Sequence, residues 1–103
     1  MTSDKRHAER IPHPSEVQCI LADGLTIAST RLSDLSTHGA FVESLNVLPL
    51  GTALRLRFLA GERLIDVGGR VVQVMPQFGF GLNFDDLAPE DEAAISALVA
   101  QGR

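Results

Sequence analysis

The sequence predicts an all-β fold, a six-stranded antiparallel β-barrel that is closed or nearly closed, with one C-terminal α-helix. The clearest strand runs from Thr52 to Leu59, where Leu54, Leu56 and Phe58 alternate with other residues. This period of two indicates a strand with one buried face. Turn residues separate the apolar segments at short intervals, which leaves no room for crossover helices between parallel strands.

Further apolar segments supply the remaining strands. They are Val17 to Ala22, Leu25 to Leu32, Gly39 to Glu43, Leu64 to Met75, and the alternating Phe78, Phe80, Leu82 and Phe84. Asp23-Gly24 is a strong signal for a two-residue hairpin between the first two segments. Gly68-Gly69 lies inside a long segment, where we predict a bulge or kink that bends the strand around the barrel; a hairpin is the alternative.

The C-terminal segment changes to helical spacing. Pro89 suits the first position of a helix, and the acidic residues at 90–92 favour its positive N-terminal end. Ile95, Leu98 and Val99 fall on one face. We therefore expect this helix to cover one opening or face of the barrel.

The length of 103 residues suits one domain, divided here into an N-terminal segment 1–14, a barrel 15–86 and a helix 87–101. Cys19 is the single cysteine and cannot form an internal disulfide, and no apolar run is long enough to span a bilayer. The polar N-terminus does not resemble a secretory signal. These features predict a cytoplasmic protein with no membrane association.

Charge argues against a nucleic acid polymer as the partner, since the formal net charge is -4. The basic residues are nevertheless concentrated near the N-terminus, where Lys5, Arg6 and Arg10 precede the first apolar segment. A solvated tail is the simplest explanation of this cluster. If the cluster binds phosphate, it must do so locally.

A second motif lies between two predicted strands, where Asp34, Ser36 and Gly39 form an Asp-x-Ser-x-x-Gly sequence. Taken alone, it is an Asx or Ser turn ended by glycine. The basic cluster and this turn, in this order, are more informative than either motif alone.

With these motifs the sequence resembles the PilZ family. The family pattern is Arg-x-x-x-Arg near the N-terminus, supplied here by Arg6 and Arg10, then Asp/Asn-x-Ser-x-x-Gly, supplied by Asp34, Ser36 and Gly39. Other similar segments are 48–52, 69–72 and 81–84. The resemblance extends from about residue 5 to about residue 99 and implies a six-stranded barrel with a C-terminal helix.

The resemblance implies a receptor for a cyclic dinucleotide, most simply cyclic di-GMP. Arg6 and Arg10 would clamp the ligand, because a guanidinium fork can bind phosphate or the O6/N7 edge of guanine and can stack on a base. Asp34 would accept hydrogen bonds from guanine N1-H and N2-H₂. Ser36 would add a hydroxyl contact, and Gly39 would let backbone approach the ligand or adopt a positive φ.

Lys5 stands where many members of the family carry arginine, and we include it among the ligand-binding residues. Both one ligand and an intercalated pair are consistent with lysine there. By the same resemblance, the N-terminal segment would fold over the barrel mouth on binding and create a surface for an unidentified effector protein.

Other chemistries are disfavoured by the sequence. His7, His13, His38 and Cys19 have no compact zinc-motif spacing, and Ser36 with His38 lacks an acid partner and an oxyanion-binding device. We therefore predict no catalytic residue, no metal and no cofactor. Two alternatives stay open: a PilZ-like adaptor that binds proteins and no nucleotide, and a small hydrolase or metal enzyme on a barrel.

Overall fold

The structure is a computed structural model that describes residues 11–27, 31–46 and 48–101. These residues form β-strands followed by one α-helix. In chain order the elements are β1 (Ile11–Leu21), β2 (Thr26–Ile27), β3 (Arg31–Leu35), β4 (Gly39–Glu43), β5 (Ala53–Ala60), β6 (Arg63–Met75), β7 (Gly79–Phe84) and α1 (Pro89–Gln101).

The strands form one antiparallel sheet in the order β2-β1-β3-β4-β7-β6-β5. The sheet closes because β1 also pairs with β5, from Val17 opposite Phe58 to Leu21 opposite Leu54. The two-residue β2 pairs with the edge of β1 that faces away from β5, which is the edge that β3 also uses. The described residues therefore form a closed six-stranded barrel with one C-terminal helix, as the sequence predicts.

The barrel core is apolar and comes from the inward positions of the strands. In β5 every second residue is buried, which confirms the predicted alternation. The rings of Phe58 and Phe84 stack with centroids 6.4 Å apart. Cys19 is fully buried as a free thiol and belongs to this core. Burial of each large apolar side chain contributes roughly 1.5 to 3 kcal/mol.

The helix α1 packs against β5 and β6 and covers part of the core. Ile95 and Val99 are buried, as predicted, and Leu98 is partly buried against the same cluster. Arg63 Nε donates a hydrogen bond of 2.7 Å to Asp91 Oδ1, which ties the helix to the β5–β6 hairpin.

A hairpin is present at Asp23-Gly24, but its loop has three residues, 22–24, and not the predicted two. Gly24 has a φ of 91° and its N–H donates to the carbonyl of Leu21, while Leu21 N–H donates to the carbonyl of Leu25. Glycine adopts this φ without the steric cost of a Cβ.

The bulge and the hairpin that we predict at Gly68-Gly69 are wrong, while the kink stays a prediction. β6 runs through these residues and pairs with β5 without a register shift, so there is no hairpin and no bulge against β5. The register shift lies further along, between Val71 and Gln73, on the β7 side. Gly69 has a different reason: a Cβ there would lie 2.7 Å from the carbonyl oxygen of Asn83, so the glycine permits close approach of β7.

Phe78 is also misplaced by the sequence pattern. The alternation assigns it to the buried face, but β7 begins at Gly79 and the Phe78 side chain is 66% exposed. Phe78 lies in the β6–β7 turn, where its N–H donates to the carbonyl of Met75 at 2.9 Å. The apolar alternation of the sequence therefore begins at Phe78, one position before β7 itself begins.

Candidate functional site

The β3–β4 turn contains the Asp-x-Ser-x-x-Gly motif and is organised by Ser36. This side chain is buried, and its Oγ accepts hydrogen bonds from the N–H groups of His38 (3.1 Å) and Gly39 (3.2 Å). The hydroxyl also donates to the carbonyl of Gly39 at 3.3 Å. Ser36 therefore shapes the turn by satisfying its backbone. Direct contact of Ser36 with a ligand stays a prediction.

Gly39 has a different structural reason from the positive φ that the sequence suggests. Its φ lies outside the positive range, whereas a Cβ at this position would overlap the carbonyl oxygen of Leu82 in β7. Gly39 pairs directly with Asn83, and Phe84 N–H donates to the carbonyl of His38 at 2.8 Å. The glycine thus holds the motif turn against β7.

Asp34 is placed by an irregularity in β3. Leu32 pairs with Val42 and Asp34 pairs with Phe41, so Ser33 is an extra residue on β3. Leu32 and Leu35 are both fully buried, while Asp34 is half-buried. A β-bulge of this kind redirects the neighbouring side chains and is common beside functional sites.

A cross-strand row of four residues extends from Asp34 over the outer surface of the barrel. Asp34 pairs with Phe41 in β4, Phe41 with Gly81 in β7, and Gly81 with Gln73 in β6. Directly paired residues share a face of a sheet and lie about 5 Å apart. We name these four residues the Asp34 row; it spans about 15 Å.

In the middle of the Asp34 row no side chain rises from the β7 backbone, because Gly81 has none. Phe41 Cδ1 lies 3.6 Å, and Gln73 Cβ 3.5 Å, from the point that a Cβ of Gly81 would occupy. Phe41 faces outward, since its neighbours Ala40 and Val42 are fully buried. Its ring therefore lies over Gly81 as a half-buried apolar surface.

An open groove of about 820 Å³ begins at Phe41 and reaches the β6–β7 turn. Its volume falls within the range of roughly 300 to 1,000 Å³ that is usual for small-molecule sites. The lining side chains are Arg31, Phe41, Glu43, Ser44, Leu45, Asn46, Met75, Gln77 and Phe78. The groove thus combines aromatic surface with amide and charged groups.

The start of β1 lies beside the motif turn. Ile11 pairs with Leu35, and Pro12 pairs with Asp34. Lys5, Arg6 and Arg10, the predicted basic cluster, lie outside the described residues.

The groove residues are the part of the site that the sequence reasoning missed. Phe41 carried a usable signal, because the alternation of β4 puts Ala40 and Val42 inside and Phe41 outside. Gln77 follows Pro76 in a turn position that usually takes glycine, which is a second signal.

In the part of the chain that the structure describes, no three His, Cys, Asp or Glu residues are grouped so that they could hold a metal ion. His38 is exposed at the motif turn. Within the same residues, no helix is long and apolar enough to cross a membrane.

The fold and the site together define a small β-barrel domain with a motif turn and a ligand-sized groove on one outer face. The sequence matches the family model of the PilZ domain over residues 4–101. Because this match covers most of the chain, the chain belongs to the PilZ domain family. PilZ domains are generally cyclic di-GMP receptors or adaptors.

Two solved structures show the same fold. The chain is similar to the PilZ domain of CeSA from a cellulose synthesizing bacterium, with 22% identity over 91% of this chain and 97% of that chain and a TM-score of 0.68. It is also similar to the Bacillus subtilis inhibitor of motility, MotI/DgrA, with 19% identity over 94% of this chain and a TM-score of 0.77. The chain spans 50% of that second protein. No curated protein matches the sequence.

Proposed function

We propose that this chain is a cyclic di-GMP receptor that couples ligand binding to the regulation of a partner protein. The observation that carries the proposal is the pairing of Pro12 with Asp34, together with that of Ile11 with Leu35. It brings the start of β1 to the motif turn, so that Arg10 and Arg6 follow within a short length of chain. The two motifs that are separated in sequence can therefore act on one ligand.

The chemistry of these residues suits a cyclic dinucleotide. The overall charge of -4 does not attract phosphate, so the ligand must be held by local cations. Arg6 and Arg10 supply guanidinium forks for phosphate and for the O6/N7 edge of guanine, and Lys5 supplies a further cation. Asp34 supplies the acceptor for guanine N1-H and N2-H₂.

Binding would order the N-terminal segment against the outer face of the barrel and so change the surface that a partner meets. The ordering has an entropic cost that lowers the affinity, but it links ligand concentration to a change of surface. In this proposal the protein acts in the cytoplasm by binding and release, without catalysis.

A second candidate is an adaptor that binds proteins and no nucleotide. Two observations favour it: Leu45 and Phe78 are large, highly exposed apolar side chains near each other on the groove, and the fold is shared with a protein described as an inhibitor of motility. Contiguous exposed apolar surface is typical of interaction sites.

Calorimetric titration with cyclic di-GMP and cyclic di-AMP separates these functions. We expect tight binding of cyclic di-GMP and a preference over cyclic di-AMP of up to about 10⁴-fold, because adenine lacks the donors that Asp34 requires. In Asp34→Ala the affinity and the preference should both fall. No binding of either ligand would support the adaptor. A preference that survives in Asp34→Ala would show that this carboxylate only forms the turn.

A further inference from the structure

The β6–β7 turn holds a glutamine in a conformation that favours glycine. Gln77 has a φ of 73° and follows Pro76, and Phe78 N–H donates to the carbonyl of Met75 at 2.9 Å. This is the arrangement of a type II turn, whose third position usually takes glycine or asparagine.

Three other turns among the described residues meet the same requirement with glycine. Gly24, Gly51 and Gly61 have positive φ values of 91°, 87° and 65°. Among the described residues, Gln77 is the one non-glycine with positive φ. Its side chain lines the groove, so the strained position presents an amide to that space.

Beside the groove, Gly81 lacks a side chain although the backbone does not require glycine at this position. A Cβ at Gly39 would overlap backbone, but a Cβ at Gly81 would meet only side-chain atoms of Gln73 and Phe41 at 3.3 to 3.6 Å. Gly81 has no positive φ. The missing side chain therefore allows the Phe41 ring to lie close to the backbone of β7 beside the groove.

We propose that the groove receives a purine base of the ligand, with Phe41 as the stacking surface and the Gln77 amide as the hydrogen-bonding group for the base edge. This inference rests on the proposed function and names the second half of the same site. Asp34 and Phe41 lie directly opposite each other on β3 and β4, so the guanine that Asp34 reads and the base in the groove belong to one ligand.

The lining of the groove fits a base better than an apolar side chain of a partner. A purine has two apolar faces and an edge of mixed donors and acceptors. Phe41 and Phe78 offer aromatic surface, and Gln77 offers an amide that both donates and accepts. Asn46 Nδ2 already donates to Ser44 Oγ at 3.3 Å. An apolar partner would leave the Gln77 amide without the hydrogen bonds that water gives it.

The test is a titration of cyclic di-GMP into the full chain and three variants. Phe41→Leu, which keeps apolar volume and removes the aromatic face, should weaken binding about 5- to 100-fold. Gln77→Gly should weaken it roughly 2- to 10-fold through loss of one hydrogen bond. Leu64→Ala, an exposed apolar truncation on the β5–β6 hairpin, is the control and should not change the affinity.

Thermal melts of the same variants distinguish a functional from a structural role. Gln77→Gly should keep or raise the melting temperature, since glycine relieves the positive φ. A lower melting temperature would show that Gln77 supports the turn, and its assigned role would then fail.

The outcomes also separate this inference from the function on which it rests. If the wild type binds and Asp34→Ala binds weakly, but Phe41→Leu and Gln77→Gly bind normally, the groove does not hold a base while the receptor function stands. The same conclusion would follow if these two variants lost only a partner protein. If the wild type binds no cyclic di-GMP, the proposed function itself fails.

Discussion

Two outer faces of the same barrel differ in how their strands pair. On the β5–β6 face the register is uninterrupted from Ala53 opposite Arg70 to Ala60 opposite Arg63. On the face of β3, β4, β7 and β6 that carries the Asp34 row, β3 and β6 each show a register shift, one of them immediately before Asp34.

The two faces also differ in what their outward side chains form. On the β5–β6 face, Asp66 accepts hydrogen bonds from Arg55 Nε at 2.9 Å and from Arg57 Nε at 3.0 Å. On the other face, the groove begins at Phe41, the second residue of the Asp34 row. Regular pairing places opposite charges across from each other, whereas bulges and a glycine withdraw side chains and create space for a ligand.

The largest effect on ligand affinity is expected when an arginine of the basic cluster is compared with an arginine of the β5–β6 face. Arg10→Ala should weaken cyclic di-GMP binding by about 2 to 5 kcal/mol, since a charge-assisted contact to a desolvated phosphate is lost. Arg6→Ala should act in the same direction. Arg57→Ala removes the same charge from the β5–β6 face and should leave the affinity unchanged. Calorimetry on the three variants measures this, and an equal loss in all three would mean that only net charge matters.

A pair of glycines gives the next largest effect, on stability. Gly39→Ala should destabilise the fold by roughly 2 to 3 kcal/mol, because the added Cβ would overlap the backbone of Leu82. Gly68→Ala is the matched control: its Cβ would meet side chains of Asp85 and Arg55 at 3.4 and 3.5 Å, which is ordinary contact. Urea unfolding measures both. Similar losses would show that Gly39 is not set by the approach of β7.

The fold could be predicted because its signals are local. β4 has the predicted bounds Gly39–Glu43, and the alternation of β5 and the helix at Pro89 follow from the residues of those segments alone. Short turns then leave an antiparallel sheet as the simple arrangement.

The site could be predicted only where a motif names it. The bulge at Ser33 depends on which residue of β4 faces Asp34, and the groove combines β3, β4 and the β6–β7 turn, which are distant in sequence. Phe78 shows the same limit, since the alternation alone does not say where the strand begins. Strand pairing between distant segments determines these features.

The smallest effect is expected at Asp66, on the charge-paired face. Burial raises the pKa of this carboxyl, but the hydrogen bonds and charges of Arg55 and Arg57 outweigh burial, and the pKa lies below its ordinary value of 3.8. A carboxyl with a lowered pKa in the folded state stabilises the protein above its unfolded pKa, and this contribution is lost as the pH falls through the folded value. The side chain is 37% exposed, so solvent screens the pairs and Asp66→Asn should cost only about 0.5 kcal/mol at pH 7. In urea unfolding, the difference from wild type should be constant above about pH 5 and shrink at lower pH. Asp86→Asn, an exposed carboxylate beyond β7, serves as the control for a change of net charge. If Asp66→Asn matched the wild type at every pH, the two faces would differ in geometry alone, because their charge pairs would contribute nothing to stability.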